Sequence, residues 1–140
     1  MRRVLAIMTR WPMLALALAV AACASGPPAL EKGELDNAPD ATSITIRQGG
    51  ELMVKLDTNL TTGYQWMAPA AVGPVLSPIG NPVYVNKGNE PRYIGAGGIN
   101  LFRFKGEQAG QVTLQFDHKR PWEANAVPAK SVRYTVTVAP

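Results

Sequence analysis

Gln111-Val112-Thr113-Leu114-Gln115-Phe116-Asp117 places an apolar residue at every second position. That period belongs to a strand with one face in a core and the other in water. The same pattern spreads outward from this stretch. Val132, Tyr134, Val136 and Val138 alternate with Arg133, Thr135 and Thr137, and Phe102 and Phe104 alternate with Arg103 and Lys105. Further back stand Val83 and Val85 after Asn81-Pro82, then Tyr64 and Trp66, then Leu52, Val54 and Leu56, then Ile44 and Ile46. Gly and Pro punctuate the runs, and after residue 41 nothing longer than a turn or two reads as an amphipathic helix. Strands are expected at 42–47, 51–57, 64–68, 82–85, 99–105, 111–117 and 131–138. Seven strands in about 100 residues is the rhythm of an all-β, antiparallel β-sandwich.

If successive strands alternate in direction, the connections 58–63, 86–98 and 118–130 meet at one end. The short turns 48–50 and 106–110 then lie at the other. Rigid sandwiches often carry function in loops gathered at one end. The 72–81 crossing, rich in Pro and Gly, has no functional reading. With a single cysteine no internal disulfide is available, so the fold must rest on inward side chains. Truncating Phe104, Leu114 or Phe116 to Ala is expected to cost about 2–5 kcal/mol each.

The chain has 140 residues, enough for one domain and a targeting segment. Residues 1–10 hold Arg2, Arg3 and Arg10 and no acid, and residues 13–22 are unbroken apolar. A basic start, a short apolar stretch and small residues at its end make a secretory signal. The stretch falls short of the roughly 20 residues that span a bilayer. Val20-Ala21-Ala22-Cys23 resembles the bacterial lipobox, which implies cleavage before Cys23 and lipid on its sulfur. An ordinary secretory signal with a chance cysteine is the other reading. The expected divisions are a lipoprotein signal at 1–22, a flexible tether at 23–41, poor in apolar periodicity, and the sandwich at 42–140. Removing the three signal arginines from 14 basic residues leaves 11 against 10 acidic, a net of +1. The basic pI therefore belongs largely to the signal and is poor evidence for nucleic-acid binding, so no nucleic-acid partner is expected.

The three connections carry unusual residues. The first is Asn59-Leu60-Thr61-Thr62-Gly63-Tyr64. Asn and Gly tolerate left-handed backbone, and Thr hydroxyls stiffen turns. A plain hairpin turn would use the same residues. The Asn59-Leu60-Thr61 sequon has no meaning beside a bacterial lipoprotein signal. The second connection contains Gly95-Ala96-Gly97-Gly98. It lacks the Lys-Ser/Thr ending and following helix of a phosphate loop. It suits close approach of a partner backbone, or simple flexibility at a strand start. The third begins His118-Lys119-Arg120-Pro121-Trp122-Glu123. Trp and Arg are frequent binding hot spots; otherwise Trp122 folds back on the sandwich end.

Taken together, Asn59 to Trp66, Gly95 to Gly98 and Arg120 to Glu123 resemble, in order and rough spacing, the three signature motifs of the chagasin-type inhibitors of papain-like cysteine peptidases. The resemblance spans about residues 42–139. One departure stands out: the family usually has Pro after the Asn, and this chain has Leu60. The resemblance implies an immunoglobulin-like sandwich whose three loops wedge into the peptidase cleft as a reversible, competitive inhibitor. It places Thr61 nearest the catalytic cysteine of the target, with Thr62 and Gly63 shaping the loop. Gly95, Ala96, Gly97 and Gly98 would line the non-primed side. Trp122 would stack on the primed side, held by Arg120 and Pro121.

Catalysis finds little support in the chain itself. One His, no free thiol after lipidation and no repeated carboxylate motif leave no enzyme constellation, and one His does not make a zinc site. Asp117 and His118 are neighbours on a strand and point to opposite faces. No cofactor is expected. An envelope lipoprotein that binds glycans or other envelope proteins is the competing class. The expected partners are a papain-like cysteine peptidase and, through lipid on Cys23, a membrane, with the protein acting as a monomer. Localisation follows as the cell envelope, with outer-membrane sorting suggested by Ala24 if the cell is Gram-negative.

Overall fold

The computed structural model describes residues 28–70, 72–87 and 97–140. The signal, Cys23, Gly95 and Ala96 lie outside these residues. Eight strands are present: β1 (Leu30–Asp36), β2 (Thr42–Thr58), β3 (Gln65–Met67), β4 (Leu76–Pro78), β5 (Val83–Asn86), β6 (Gly98–Gly106), β7 (Gly110–Lys119) and β8 (Lys130–Ala139). A single 3-10 turn at Leu60–Thr62 is the only helical element among the described residues.

The strands follow the order β3-β7-β8-β2-β6-β4, with β1 added on β2 and β5 on β6. β2 turns this run into two layers. Residues 42–47 lie parallel to β8, from Thr42 opposite Tyr134 to Arg47 opposite Ala139. Residues 51–58 lie antiparallel to β6, from Glu51 opposite Lys105 to Thr58 opposite Gly98. Both register paths converge on the β6–β7 turn, so the chain doubles back at 48–50. Gly49 allows this with φ 82, and the Gln48 side chain ties the corner to the Glu107 carbonyl at 3.1 Å. One layer is therefore β3, β7, β8 and residues 42–47. The other is β1, residues 51–58 and β6, with β4 and β5 sharing the far edge of β6.

The alternating residues face each other across these layers. Phe102 meets Phe116 at 4.8 Å between ring centroids, and Phe116 meets Tyr134 at 5.9 Å. Phe104, Leu114 and Phe116 are buried, as their period requires. A fully buried aromatic or Leu side chain is worth about 1.5–3 kcal/mol over exposure, and this core carries the fold.

Three expectations need correction. The extended runs 42–47 and 51–57 form one continuous strand element rather than two. The sandwich is not wholly antiparallel, because β1–β2 and β2–β8 are parallel ladders. Residues 30–36 are not tether. β1 pairs along β2, Leu35 is buried, and Gly33 lets Ile44 and Ile46 pack against its backbone, where a Cβ would come within 2.9 Å of each. Only one apolar side chain of β1 enters the core, so the run shows no alternation. β4 likewise arises inside the 72–81 crossing, anchored by buried Leu76.

Candidate functional site: a three-loop edge

Register shows which loops meet. Thr58 and Asn86 both lie opposite Gly98, Gln65 lies opposite Lys119, and His118 lies opposite Lys130. The connections after β2, β5 and β7 therefore leave from one end, as expected. The β6–β7 turn and the 48–50 corner occupy the other.

The first loop is held by its own polar groups. Asn59 caps the 3-10 turn, and its Oδ1 accepts from the Thr61 amide at 3.1 Å and the Thr61 hydroxyl at 2.6 Å. The Asn59 carbonyl accepts from the Thr62 hydroxyl at 2.7 Å and the Thr62 amide at 3.2 Å. Gly63 closes the turn with φ 80 and donates to the Leu60 carbonyl at 3.0 Å. Leu60 stays 40% exposed on the outside. Side-chain bonds to local backbone give this loop an alternative to strand pairing and fix its shape.

The third loop leans on the first. Trp122 is 69% exposed, so it does not fold back into the sandwich. Its ring lies against Gly63, where a Cβ would come within 2.6 Å of Cη2. The Arg120 guanidinium sits 4.7 Å over the Tyr64 ring and reaches Glu123 at 3.4 Å. Such a cation–π pair contributes about 0.5–1 kcal/mol at a partly exposed site. The second loop joins at its ends: the Lys87 amide donates to the Gly97 carbonyl at 3.2 Å. A Cβ on Gly98 would lie 2.3 Å from the Tyr84 ring, so a side chain there would push that ring aside. Of the expected site residues, Asn59 to Tyr64 and Arg120 to Trp122 share one surface. Gly97 and Gly98 stand beside Thr58 at its margin. Pro121 occupies the turn closed by the Glu123 amide on the Arg120 carbonyl at 3.1 Å.

A polar foundation lies under the edge, and the sequence reading missed it. His118 Nε2 pairs with the Thr58 hydroxyl at 3.1 Å, and that hydroxyl donates to the Tyr64 carbonyl at 3.0 Å. The imidazole packs on Trp66 at 4.8 Å and Tyr64 at 5.5 Å. The Trp66 indole donates to the Asp57 carbonyl at 2.8 Å, and its amide donates to buried Asn100 at 3.1 Å. Burial, with Lys130 nearby, pulls the His118 pKa below its ordinary value. Asp57 is paired with Lys87 and Asn37, whose hydrogen bonds hold its carboxyl below the usual range. A signal for this layer existed. Thr58, Asn100 and His118 each continue the inward period of their strand, one step past its last apolar residue.

No group of His, Cys, Asp and Glu among the described residues could hold a metal ion. What the edge offers among the described residues is a mixed surface: a Thr-rich turn tied by its own hydrogen bonds, an exposed Trp122 and, at its margin, the backbone of Gly97 and Gly98.

Comparison with known proteins agrees with this geometry. The family model for Chagasin family peptidase inhibitor I42 matches residues 45–138. Amoebiasin-1 of Entamoeba histolytica is 34% identical over 86 residues, which are 61% of this chain and 79% of that protein. The solution structure of Amebosin superposes with a TM-score of 0.62 at 30% identity, covering 76% of this chain and 97% of its own. The cysteine protease inhibitor EhICP2 from Entamoeba histolytica shares the fold, with a TM-score of 0.64 at 24% identity over 76% of this chain and 95% of that one. The match runs from Thr45 to Val138, two thirds of the chain and nearly the whole sandwich, so this chain belongs to the chagasin family of peptidase inhibitors and is not an enzyme.

Proposed function

We propose that the three-loop edge enters the active-site cleft of a papain-like cysteine peptidase and occludes it reversibly. The observation that carries this reading is the fusion of the first and third loops, with Trp122 on Gly63 and Arg120 over Tyr64. A substrate is cleaved when its carbonyl sits in the oxyanion site at attack geometry. The first loop is instead a closed turn, pinned by Asn59, and it presents the Thr61 side chain at its tip. It fills the site and offers no extended scissile bond. Because the turn is already ordered, little conformational freedom is lost on docking. About 800 Å² per partner is enough for tight binding when the anchors are good.

The test is titration of residues 24–140 against papain, with Thr61→Arg and Trp122→Ala beside the wild type. Stoichiometric inhibition weakened by both substitutions, with unchanged melting, supports the wedge. A folded protein that leaves papain fully active at micromolar concentration rules it out as a general inhibitor. We also propose that the protein is a monomeric envelope lipoprotein, cleaved before Cys23 and acylated on its sulfur. Residues 20–23 support this, and two or more chains would anchor it stably at about 0.8 kcal/mol per buried methylene. Fatty-acid labelling that survives Cys23→Ser would remove the lipid assignment.

A further inference from the structure

The chain enters the sandwich at the pole opposite the three-loop edge. β1 runs parallel to β2, from Lys32 opposite Glu51 to Asp36 opposite Lys55, and β2 ends at Thr58 beside the first loop. Followed backward, β1 leads away from the edge to Leu30 at the 48–50 corner, where it lies opposite Ile46. Leu30 stands two residues before the Lys32–Glu51 pair and Thr58 seven residues after it. At about 3.3 Å per residue, those steps set the point of entry roughly 30 Å from the edge.

The point of entry is also close to Cys23. Seven residue steps separate Cys23 from Leu30, and at about 3.3–3.6 Å each they span roughly 25 Å at most. A lipid on Cys23 would therefore hold the corner at the bilayer, and the chain between them is too short to bring the edge down to it end-on. The surface of this pole suits that place. Lys32, Arg47 and Lys105 stand there with Glu31, Glu51 and Glu107, so its charges balance and neither draw it to anionic headgroups nor drive it from them. Among the described residues, its one exposed large apolar side chain is Leu30, at the point of entry. Such a surface rests on hydrated headgroups and does not insert.

We propose that the bilayer is the partner of the corner pole: anchored through Cys23, the domain stands on the headgroups and points its three-loop edge into the aqueous compartment, where it captures dissolved peptidase. This orientation rests on the acylated Cys23 and the peptidase-binding edge proposed above, and it adds where the target must be. The chain supplies its own probes. Cys23 is the only thiol, so residues 23–140 couple through it to maleimide lipid on preformed phosphatidylcholine vesicles. With Trp11 removed in the signal, the remaining tryptophans are Trp66 and Trp122, and both stand at the edge end. Gln108→Trp adds one on the exposed β6–β7 turn at the corner pole. Spin-labelled headgroups in the vesicles quench tryptophan only near the surface.

The expected result is unchanged emission from Trp66 and Trp122, loss of emission from the added tryptophan of Gln108→Trp, and papain titrated by the coupled protein at the stoichiometry of the free chain. Quenching of the wild-type tryptophans lays the edge on the bilayer and overturns the orientation, whether or not Gln108→Trp folds. Inhibition that the free chain shows and coupling abolishes overturns it too. An added tryptophan that escapes quenching, in a variant with unchanged melting, takes the corner off the bilayer with the same consequence. The two underlying readings fail differently. A free chain that leaves papain active removes the edge and the capture with it, and fatty-acid labelling of cells that survives Cys23→Ser removes the anchor.

Discussion

Leu60 occupies the first position of the 3-10 turn, directly after the Asn59 cap. Proline is well placed there, since the first amide of a helical turn has no partner within it and φ near −65° suits the turn. Proline also needs extended backbone in the residue before it, and Asn59 has φ −128 and ψ 102. Leu60→Pro should therefore remove freedom from the unbound loop without strain, a gain of about 0.4–1 kcal/mol. We expect dissociation from papain to slow by roughly two- to fivefold, read by stopped-flow displacement. An unchanged off-rate would show that loop order does not limit release. Gly63 points the other way. Ala there meets both a left-handed φ of 80 and the Trp122 ring. The backbone term alone is about 1–2 kcal/mol, and the displaced Trp122 should weaken inhibition more than it lowers melting. Equal losses in both would mean that Trp122 is not positioned by this contact.

At the scale of the element, β7 ends on the foundation of the edge rather than on more core. His118 is the chain's only histidine, and it lies beneath the first loop between Trp66 and Tyr64. Lys130 is close enough to oppose its protonation, and the Arg120 guanidinium also lies over the Tyr64 ring. Its folded pKa lies below the unfolded 6.5. Through that window the unfolded chain binds more protons, so stability rises with pH. The contribution is complete above about pH 6.5 and fades as pH falls toward the folded value. Asp40, Asp57 and Asp117 are held below 3.8, so their contributions are lost only in stronger acid. Melting temperature should thus decline between about pH 7 and 5 in the wild type and decline less in His118→Gln. Parallel curves would place the acid sensitivity elsewhere. Alternation made the core of each strand legible because period 2 directly reports two environments. The polar end-layer followed the same period, but Thr58, Asn100 and His118 look like surface residues until the opposing strands supply their partners.

For the whole molecule, what could not be read was backbone pairing without a side-chain signature. β1 contributes one buried side chain, and its Gly33 is informative only once Ile44 and Ile46 are seen against it. The three-loop edge, by contrast, was readable from counting strand reversals and from motif order. β1 now makes a prediction that separates a strand from a tether. It covers residues 51–55 of β2, buries Leu35 and supplies Glu34 to Lys55. A chain beginning at Asn37 should lose at least the burial of that leucine, about 1.5–3 kcal/mol. For a domain near 100 residues this lowers melting by roughly 4–8 °C per kcal/mol. β1 runs from the 48–50 corner, where Leu30 lies opposite Ile46, and stops with Asp36 opposite Lys55, short of the Thr58 end of β2 that carries the edge and of Asn37, which stays in the shortened chain to hold Asp57. The truncated protein should therefore inhibit papain normally at temperatures where it remains folded. Melting that matches the chain beginning at Pro28 would restore the tether reading. Weakened inhibition below the melting range would show that β1 supports the edge through the length of β2.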